Sequence, residues 1–546
     1  MAETGAWHGV KTDRRHFADI LFRGGPVYTV DRRFTVAGAC AVRGERILGT
    51  GDEAELLHLV GPETEVVDLA DGCLLPGLID AHSHIVAYGL TMDNVDCKRG
   101  VGCVEDIVGA VAAAARGRPP GEWVLGRGYD QKKLRGGRHP RRGDLDRAAP
   151  DHPVVLARTC GHIVACNSAA LRLAGIDATT PDPPGGRIER DERGEPTGIL
   201  QEAATGAVWR LLRPSVAGYR GAYARACGDY FRHGITSTHD ASGGDPGQVR
   251  AIVVEQDAAQ PRVRTHLMLR LGPEGAAGEA AMRAGLVTGL GGSGARVGPL
   301  KLMVDGSSSG PTAATRRPYA SDPGDQGILY YDQATLDETV ARGAAAGFQM
   351  TAHAVGDRAV EMMLRAFAGL GPEVAAARHR IEHCAMLDDE LVALIRRLGV
   401  VPVANPGFLW EFGDGYVADY GPARAGWMFP LRALVDAGVP VALGSDAPVT
   451  DLNPFLGFYC AMTRRTREGA VVGAEQAVGF AEVLRAYTIN AAYAGFAERE
   501  RGSIETGKLA DLVVVDRDLG RAGPEEVRAT EVVTTLLGGK VVYRRD

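Results

Sequence analysis

The chain has 546 residues, of which 45% are hydrophobic and 24% charged, and its formal net charge is -7. This balance is that of a soluble globular protein, and the length suffices for a barrel of about 250 residues with additions. Charges of both signs are mixed along the chain, and short basic runs such as 138–142 predict solvated surface. The sequence thus lacks the basic face of a nucleic-acid-binding protein, which excludes that class. No apolar run reaches the roughly 18 residues of a membrane span. We therefore expect no membrane partner. The nine cysteines are scattered without a Cys-x-x-Cys pair, which fits a reducing compartment, so we expect a cytoplasmic protein.

The two ends of the chain share a β-type pattern. Residues 1–16 are polar and lack a signal-peptide core, and we expect them to form a disordered leader. Residues 17–75 alternate short β-type runs with turns, and residues from about 503 to 546 do the same. Neither segment has a large core of its own. We therefore predict a small composite β-sandwich domain made of both termini, with residues 76–502 inserted between them.

Between the termini, apolar strand-like runs alternate with Ala-rich helical stretches, the pattern of βα units around a parallel sheet. The candidate strands are 77–82, 154–158, 235–239, 263–269, 299–304, 348–353, 380–383, 400–404 and 440–445. These are nine candidates, one more than an eight-stranded barrel needs. The run 154–158 lies in an irregular region, about 97–204, that is rich in Gly, Pro and Arg, and we assign it to an insertion that covers the barrel mouth. The other eight predict an α/β fold, a distorted (β/α)8 TIM barrel.

The first predicted barrel strand ends in two histidines, His82 and His84. Side chains two residues apart on a strand point the same way, so the two imidazoles project together from its C-terminal end. Two neighbouring imidazoles suit zinc or a similar metal. A bare His-x-His is more often a pair of hydrogen-bonded surface histidines, so the prediction depends on further ligands.

Later predicted strands also carry metal-capable residues at or near their ends. These residues are Lys301, His353, His383 and Asp446. Six candidate ligands at strand ends of one barrel are hard to explain as scattered core side chains. Because barrel enzymes place their chemistry at the C-terminal ends of the strands, we predict a metal site there.

Lys301 lies inside an apolar strand, where a charged ammonium beside two divalent ions would be repelled. At about 4 Å and an effective dielectric near 20, each charge pair costs on the order of 4 kcal/mol per unit charge product. Burial and positive neighbours favour the neutral amine. A neutral amine can add CO2 and become a carbamate whose two oxygens bridge two metals. The alternative is a lysine paired with Asp305 or another acid.

Candidate substrate residues follow from their positions in predicted loops. His162 ends a β-type run in the insertion and would donate a hydrogen bond to a developing oxyanion, although a structural histidine explains it equally well. Others predicted to face the pocket are Tyr129, Asp130, Ser307 to Ser309, and Phe408 and Trp410 in a loop after strand 7. The two aromatic rings indicate room for an apolar or aromatic substituent, or packing under the insertion.

Eight stretches resemble one known family. They are LLPGLIDAHSH at 74–84, GHIVACNSAAL at 161–171, TPDPPGGRIERDERGEPTGILQEA at 180–203, KLMVDGSSSGPTAA at 301–314, TAHAVGDRAV at 351–360, RIEH at 380–383, GSDAPV at 444–449 and GSIETGKLADLVVVD at 502–516. In these stretches the chain resembles the amidohydrolase superfamily, and within it the amidohydrolase-3 group that includes N-substituted formamide deformylases.

The resemblance implies a role for each candidate ligand. His82, His84 and Asp446 would bind the more buried metal. His353 and His383 would bind a second metal, and carboxylated Lys301 would bridge the two. The implied cofactor is Zn2+, two per chain, although other divalent metals and a mononuclear site also occur in this superfamily.

The resemblance also implies a reaction. A metal-activated hydroxide would attack the carbonyl carbon of an amide, N-substituted formamide or carbamate-like substrate. Asp446 would take the proton of the attacking water and pass it to the departing amine. We expect a small-molecule substrate and a homodimer.

Two other functions stay open at this stage. One is a mononuclear aminohydrolase, a deaminase that releases ammonia and tolerates loss of Lys301. The other is a non-catalytic relative that keeps the fold as a scaffold. The complete set of candidate ligands argues against the scaffold.

Overall fold

The computed structural model describes residues 17–272 and 275–546, and the leader predicted at 1–16 lies outside these ranges. The N-terminal segment forms short strands, which are β1 Ile20–Arg23, β2 Val27–Tyr28, β3 Val36–Ala37, β4 Ala39–Arg43, β5 Arg46–Gly51, β6 Glu65–Asp68 and β7 Cys73–Pro76. Gly77 alone separates β7 from β8, Leu78–Ser83. A Cβ at Gly77 would lie 2.2 Å from Thr236 Oγ1, so only glycine allows this close approach.

A six-stranded sheet follows β8 in the chain. Its strands are β9 Val95–Asp96, β10 Val124–Tyr129, β11 Val154–Arg158, β12 Ile163–Cys166, β13 Gly186–Arg190 and β14 Pro196–Glu202, in the order β13-β14-β12-β11-β10-β9. The run 154–158 therefore belongs to this sheet and not to the barrel.

The barrel consists of β8 and seven later strands, which are β15 Ile235–Gly243, β16 Arg264–Arg270, β17 Ala295–Met303, β18 Met350–Ala354, β19 Arg380–His383, β20 Val401–Ala404 and β21 Ala442–Leu443. Each strand pairs in parallel with the next one along the chain. The backbone N–H of Asp446, just after β21, donates to the carbonyl of His82 at 2.7 Å, which nearly closes the sheet. The predicted (β/α)8 fold is confirmed.

The C-terminal segment forms β22 Leu512–Val515, β23 Val532–Leu537 and β24 Lys540–Arg544. These strands join strands of the N-terminal segment in one sheet of order β24-β23-β22-β7-β2-β3, while a second sheet has the order β5-β4-β1-β6. Phe22, Leu74, Leu512 and Leu536 are buried in one shared core between the two sheets. The strands from both ends of the chain thus share one sandwich, and the division of the chain into domains at 75/76 and 502/503 stays a prediction.

Helices connect the strands of the barrel, and further helices belong to the terminal segments and to the six-stranded sheet region. They are α1 Glu53–Leu56, α2 Ile85–Thr91, α3 Val104–Ala115, α4 Arg142–Ala148, α5 Ser168–Ala174, α6 Gly206–Trp209, α7 Val216–Arg232, α8 Pro246–Glu255, α9 Ala276–Arg283, α10 Gln333–Ala345, α11 Asp357–Ala368, α12 Asp389–Leu398, α13 Gly407–Tyr420, α14 Pro422–Gly426, α15 Leu431–Asp436, α16 Pro454–Thr463, α17 Phe480–Ala486, α18 Ile489–Ala494 and α19 Pro524–Arg528. In the described ranges, no helix combines the length and apolar character needed to cross a membrane.

Helix α12 shows how the sequence sets the bounds of these helices. The Asp388 side chain accepts a hydrogen bond from the Leu391 N–H at 2.9 Å and so caps the N-terminus. Leu391 and Ile395, four residues apart, bury one face. Gly399 ends the helix in a left-handed conformation with φ of 63°, which glycine adopts at little cost.

Ion pairs join the six-stranded sheet region to helix α13 of the barrel. Lys98 Nζ and Lys133 Nζ lie 2.9 and 2.8 Å from the buried Glu411 carboxylate, and Arg467 Nη2 lies 2.9 Å from it. Burial would raise the pKa of Glu411, but the two lysines outweigh it and lower the pKa to about 2. These contacts fix the region over the barrel.

Candidate metal centre

Three predicted ligands meet at the point where the barrel nearly closes. His82 lies near the end of β8, His84 follows that strand, and Asp446 follows β21. Asp446 Oδ1 lies 3.0 Å from His84 Nε2 and 3.4 Å from His82 Nε2. In the described part of the chain, these three form the one group of three or more His, Cys, Asp or Glu side chains whose ligand atoms all lie within 4.8 Å of one another.

The geometry of this group fits a metal ion. Asp446 Oδ1 is buried, and within residues 17–272 and 275–546 it accepts no hydrogen bond of normal geometry. A buried carboxylate oxygen without a partner is costly. A cation between the two imidazoles and the carboxylate would contact all three ligand atoms at once.

The predicted second pair of ligands continues this group. The rings form a row in which consecutive centroids are 5.5, 4.8, 4.5 and 5.9 Å apart, in the order His84, His82, His383, His353 and His162. The first four rings lie at the C-terminal ends of barrel strands β8, β19 and β18, and His162 continues the row from the six-stranded sheet. The row places His353 and His383 beside the first group.

Three histidines of this row, His84, His383 and His353, each use one ring nitrogen for a protein contact and leave the second available. His84 Nδ1 lies 2.8 Å from Ser242 Oγ, and His383 Nδ1 lies 2.9 Å from Asn405 Oδ1. His353 donates from Nε2 to the carbonyl of Gly306 at 2.9 Å. Such contacts fix the tautomer and orientation of metal-binding imidazoles.

A buried charged network orients His82. Its Nδ1 donates to Glu382 Oε2 at 2.5 Å, and Glu382 also accepts from Thr351 Oγ1 at 2.6 Å. Arg380 donates to both oxygens of Glu382, at 2.9 and 3.0 Å. Both charged side chains are fully buried. This network leaves His82 Nε2 facing Asp446. Sequence reasoning missed the role of Glu382, although an acid and an arginine two residues apart in a buried strand signal a charged pair.

The protonation states of His84, His353, His383 and Asp446 suit metal binding. Burial lowers the pKa of His84 to about 4 and that of His383 to about 3, and it places the pKa of His353 well below its usual value. Burial would raise the pKa of Asp446, but the adjacent His82 and His84 outweigh it and hold it well below its usual value. These three imidazoles are therefore neutral and the carboxylate ionised at neutral pH, the forms that bind metals.

Lys301 lies beside the candidate ligand His82. Its side chain is buried, and Nζ lies 3.4 Å from His82 Nε2. Burial lowers the pKa of Lys301 to about 8. Asp305, the alternative partner, instead accepts hydrogen bonds from the N–H groups of Ala314, Val355 and Gly356, and no ion pair joins it to Lys301 among the described residues.

Three site residues have strained backbones. His383, Cys384 and Asp446 adopt φ values of 65°, 45° and 57°, in the left-handed region that non-glycine residues rarely occupy. Each such residue costs on the order of 1–3 kcal/mol and persists where the surrounding structure enforces it. Strain of this kind concentrates at functional sites.

His162 extends the row of imidazoles towards β14. Its Nδ1 lies 2.7 Å from Glu202 Oε2, and Glu202 also accepts from Thr312 Oγ1 at 3.0 Å and from the Tyr330 hydroxyl at 3.1 Å. The contact with Glu202 leaves His162 Nε2 available as a donor. Sequence reasoning did not pair these two residues, because His162 precedes β12 whereas Glu202 ends β14, 40 positions away in the sequence.

The family assignment agrees with this geometry. Residues 65–543 match the model of the amidohydrolase family, Amidohydro_3. The chain belongs to the amidohydrolase family. The predicted enzyme class, a metal-dependent hydrolase acting on carbon–nitrogen bonds other than peptide bonds, is confirmed.

Several proteins are similar to this amidohydrolase over nearly their full length. The putative amidohydrolase YtcJ of Bacillus subtilis (strain 168) is 30% identical, with 96% of this chain and 99% of the relative covered. The N-substituted formamide deformylase of Arthrobacter pascens is 31% identical, with 96% and 98% covered. An uncharacterized metal-dependent hydrolase of Pyrococcus furiosus superposes with a TM-score of 0.74 at 26% identity, covering 92% of this chain and 100% of that one.

Two predicted substrate residues of this amidohydrolase lie at the end of β10. The buried Tyr129 hydroxyl lies 3.1 Å from His139 Nδ1. Asp130 accepts from Arg158 Nη2 at 2.8 Å, and Arg158 Nη1 donates to Ser309 Oγ at 3.4 Å. Through Arg158, this pair links the six-stranded sheet to the segment after β17. In the structure, the Asp130 side chain is therefore engaged in an ion pair with Arg158.

Phe408 and Trp410 lie in helix α13, so the prediction of a loop after strand 7 is wrong. The segment from Gly407 continues as a helix because its apolar residues pack against the barrel. Phe408 stacks on His383 with centroids 5.8 Å apart. Trp410 instead contacts Tyr459, at 5.8 Å, and the guanidinium of Arg528, at 5.3 Å. Phe408 thus lies beside the candidate metal centre, whereas Trp410 contacts residues of helices α16 and α19.

Proposed function

We propose that this protein hydrolyses a small amide-like substrate, with N-substituted formamides, other non-peptide amides and carbamate-like compounds as the substrate class. The observation that carries the proposal is the largely buried group of His82, half-buried His84 and Asp446, which continues into His383 and His353. The N-substituted formamide deformylase of Arthrobacter pascens, 31% identical over 540 residues, supports the choice of substrate class.

The residues divide into two sets of ligands. His82, His84 and Asp446 would hold one zinc ion, and His353 and His383 would hold a second. Lys301, as a carbamate, would bridge them, which accounts for a buried lysine with a pKa lowered to about 8 beside imidazoles. When bound, the metals lower the pKa of a water molecule and polarise the substrate carbonyl.

The remaining chemistry belongs to side chains of the protein. Asp446 is ionised at neutral pH, so its carboxylate accepts the proton released from the attacking water and passes it to the departing amine. His162, held through Nδ1 by Glu202, presents Nε2 and donates a hydrogen bond to the oxygen that becomes negative. Phe408, stacked on His383, offers an apolar surface for the substituent on nitrogen.

A panel of substrates tests the proposal. Protein purified without chelator is incubated with N-benzylformamide and related amides, and formate, other carboxylates and ammonia are quantified. We expect an acid and an amine as products. His84→Ala should abolish the activity, while the exposed His58→Ala, a matched control, should keep it. Activity that survives His84→Ala at full rate would contradict the proposed ligand set.

A mononuclear aminohydrolase is the second candidate. In the ranges that the structure describes, His82, His84 and Asp446 are the one such group with every ligand atom within 4.8 Å, and one metal is enough for such an enzyme. Release of ammonia from an amidine or an aminated ring, with turnover that tolerates Lys301→Ala, would favour it.

Lys301→Ala separates the two candidates. If the carbamate bridges two metals, this variant loses metal and turnover together, and added formate or acetate restores part of both by supplying two oxygens and one negative charge. The exposed Lys540→Ala is the control for nonspecific effects of these acids. A crystal structure with metals bound and an unmodified Lys301 directed away from them would contradict the bridge.

A further inference from the structure

A polar cavity lies at the end of the barrel opposite to the candidate metal centre. It has a volume of about 20 Å³ and is lined by the N-terminal parts of β15 to β17 and by residues that follow α18. Its polar lining includes Ser237, His239, Arg264, His266, Arg296 and Arg501. None of these residues is a proposed metal ligand or substrate contact.

The cavity is lined by residues with unused hydrogen-bond donors. Arg296 Nε and Arg501 Nε are buried donors without a partner within the described ranges, and His266 Nε2 is a buried ring nitrogen that also lacks one. His266 and Arg501 are only 7% and 8% exposed. A guanidinium nitrogen always donates. His239 accepts from Arg380 Nη1 through Nδ1 at 2.7 Å, so its Nε2 carries a proton and is a donor too.

The charges around the cavity do not balance. Arg264 pairs with Asp511 at 2.7 and 3.0 Å, and Arg296 pairs with Glu500 at 3.1 and 3.2 Å. Arg501 has no carboxylate of its own and reaches the shared Glu500 only at 3.4 Å. Three guanidinium groups therefore share two carboxylates in direct contact, and the third nearby carboxylate, Glu45, is exposed to solvent and acts on Arg264 only at longer range. Within the buried lining this leaves one positive charge.

The histidines of the cavity add no charge. Burial lowers the pKa of His266 to about 3 and places that of His239 well below its usual value. Arg501 otherwise donates to Ser237 Oγ at 3.2 Å and to the carbonyl of Ser293 at 3.1 Å, both of them neutral. The unmatched charge is thus that of a guanidinium held in a largely buried position.

We infer that this cavity binds one small monovalent anion of the size of chloride, held by Arg296, Arg501 and His266. A cavity of about this size holds an occupant of roughly the size of a water molecule. Water would satisfy the donors but leave the positive charge, and a cation would be repelled. Ser293 is exposed at the edge of the cavity and offers the anion a route from solvent.

The anion would stabilise a junction of the fold. Arg296 lies at the start of β17, whereas Arg501 belongs to the segment between α18 and β22 that leads into the terminal sandwich. An anion between the two guanidinium groups would remove their mutual repulsion and join the base of the barrel to this segment.

Anomalous diffraction tests the site directly. Crystals soaked in sodium bromide are measured at the bromine absorption edge, with wild type, Arg501→Met and the exposed, matched Arg499→Met in parallel. We expect one anomalous peak between Arg296 and Arg501 in wild type and in Arg499→Met, and no peak in Arg501→Met. A wild-type cavity that holds only water in bromide would overturn the inference.

Thermal unfolding provides the solution test. At constant ionic strength, replacing gluconate by bromide should raise the Tm of wild type and of Arg499→Met by about 1 °C for each tenfold excess over the dissociation constant. Arg501→Met should show no such difference. If Arg501→Met fails to fold, the wild-type crystals and melts decide alone, and equal Tm values in the two anions would overturn the inference.

Discussion

Replacing Glu382 with glutamine removes the negative charge at the centre of the network behind His82. The wild-type carboxylate is fully buried and accepts four hydrogen bonds, from His82 Nδ1, from Thr351 Oγ1 and twice from Arg380. Glutamine offers one acceptor oxygen, and its amide group adds donors that face donors. At least two of the four hydrogen bonds are therefore lost.

The expected loss of stability follows from these contacts. A buried donor left without a partner costs about 1–3 kcal/mol. Because the Arg380 guanidinium also loses its counter-charge, we expect a total of about 3–5 kcal/mol. With an unfolding entropy of about 2.1 cal/mol/K per residue, this corresponds to a Tm lower by about 3–4 °C. His82 also loses its orienting partner, which lowers metal affinity by about 10–100-fold.

Calorimetry on chelated protein measures the stability, and competition with a chromogenic chelator measures the metal affinity. Glu390→Gln is the control, because this glutamate is 81% exposed, and its Tm should stay within about 1 °C of wild type. If Glu382→Gln melts like Glu390→Gln and binds metal as tightly as wild type, the assigned role of the network is refuted.

Three further changes have defined expectations. Glu411→Gln should lower the Tm by about 3 °C at pH 7, because the depressed pKa of Glu411 makes its ionised form stabilising above about pH 4.5. The difference from wild type should shrink as the pH falls towards 2, and a pH-independent difference would contradict this. Phe408→Ala should reduce kcat/KM for aromatic formamides about tenfold. Trp410→Ala should instead lower the Tm by about 2 °C and leave kcat/KM nearly unchanged. The reverse pattern would place Trp410 in the pocket. Ending the chain at residue 502 removes β22 to β24 from the sheet that includes β7, so we expect insoluble protein, and a soluble product with a cooperative melt would contradict this.

The barrel and its candidate ligands could be predicted because their signals are local. Each barrel strand is a short apolar run, and the two-residue spacing leaves His82, near the end of β8, and His84, just after it, at the same end of the barrel. Parallel strands in chain order then bring residues as distant as His82 and Asp446 to one end of the barrel. No knowledge of individual contacts is needed for this step.

The partners of the ligands could not be predicted in the same way. Glu382 meets His82 across 300 positions of sequence, and Asn405 and Ser242 reach their histidines from other elements. No local pattern encodes such pairings. The error at Trp410 has a different cause, since an apolar run after a strand is compatible with a loop or a helix, and packing decides between them.

Metal content per chain tests the proposed two-metal centre most directly. Protein expressed with zinc, purified without chelator and quantified by plasma emission should contain close to two equivalents of metal. His82→Ala should lose the metal while it remains folded by circular dichroism. A wild-type enzyme that is fully active with no bound metal, or His82→Ala protein that keeps two equivalents, would contradict the proposed centre.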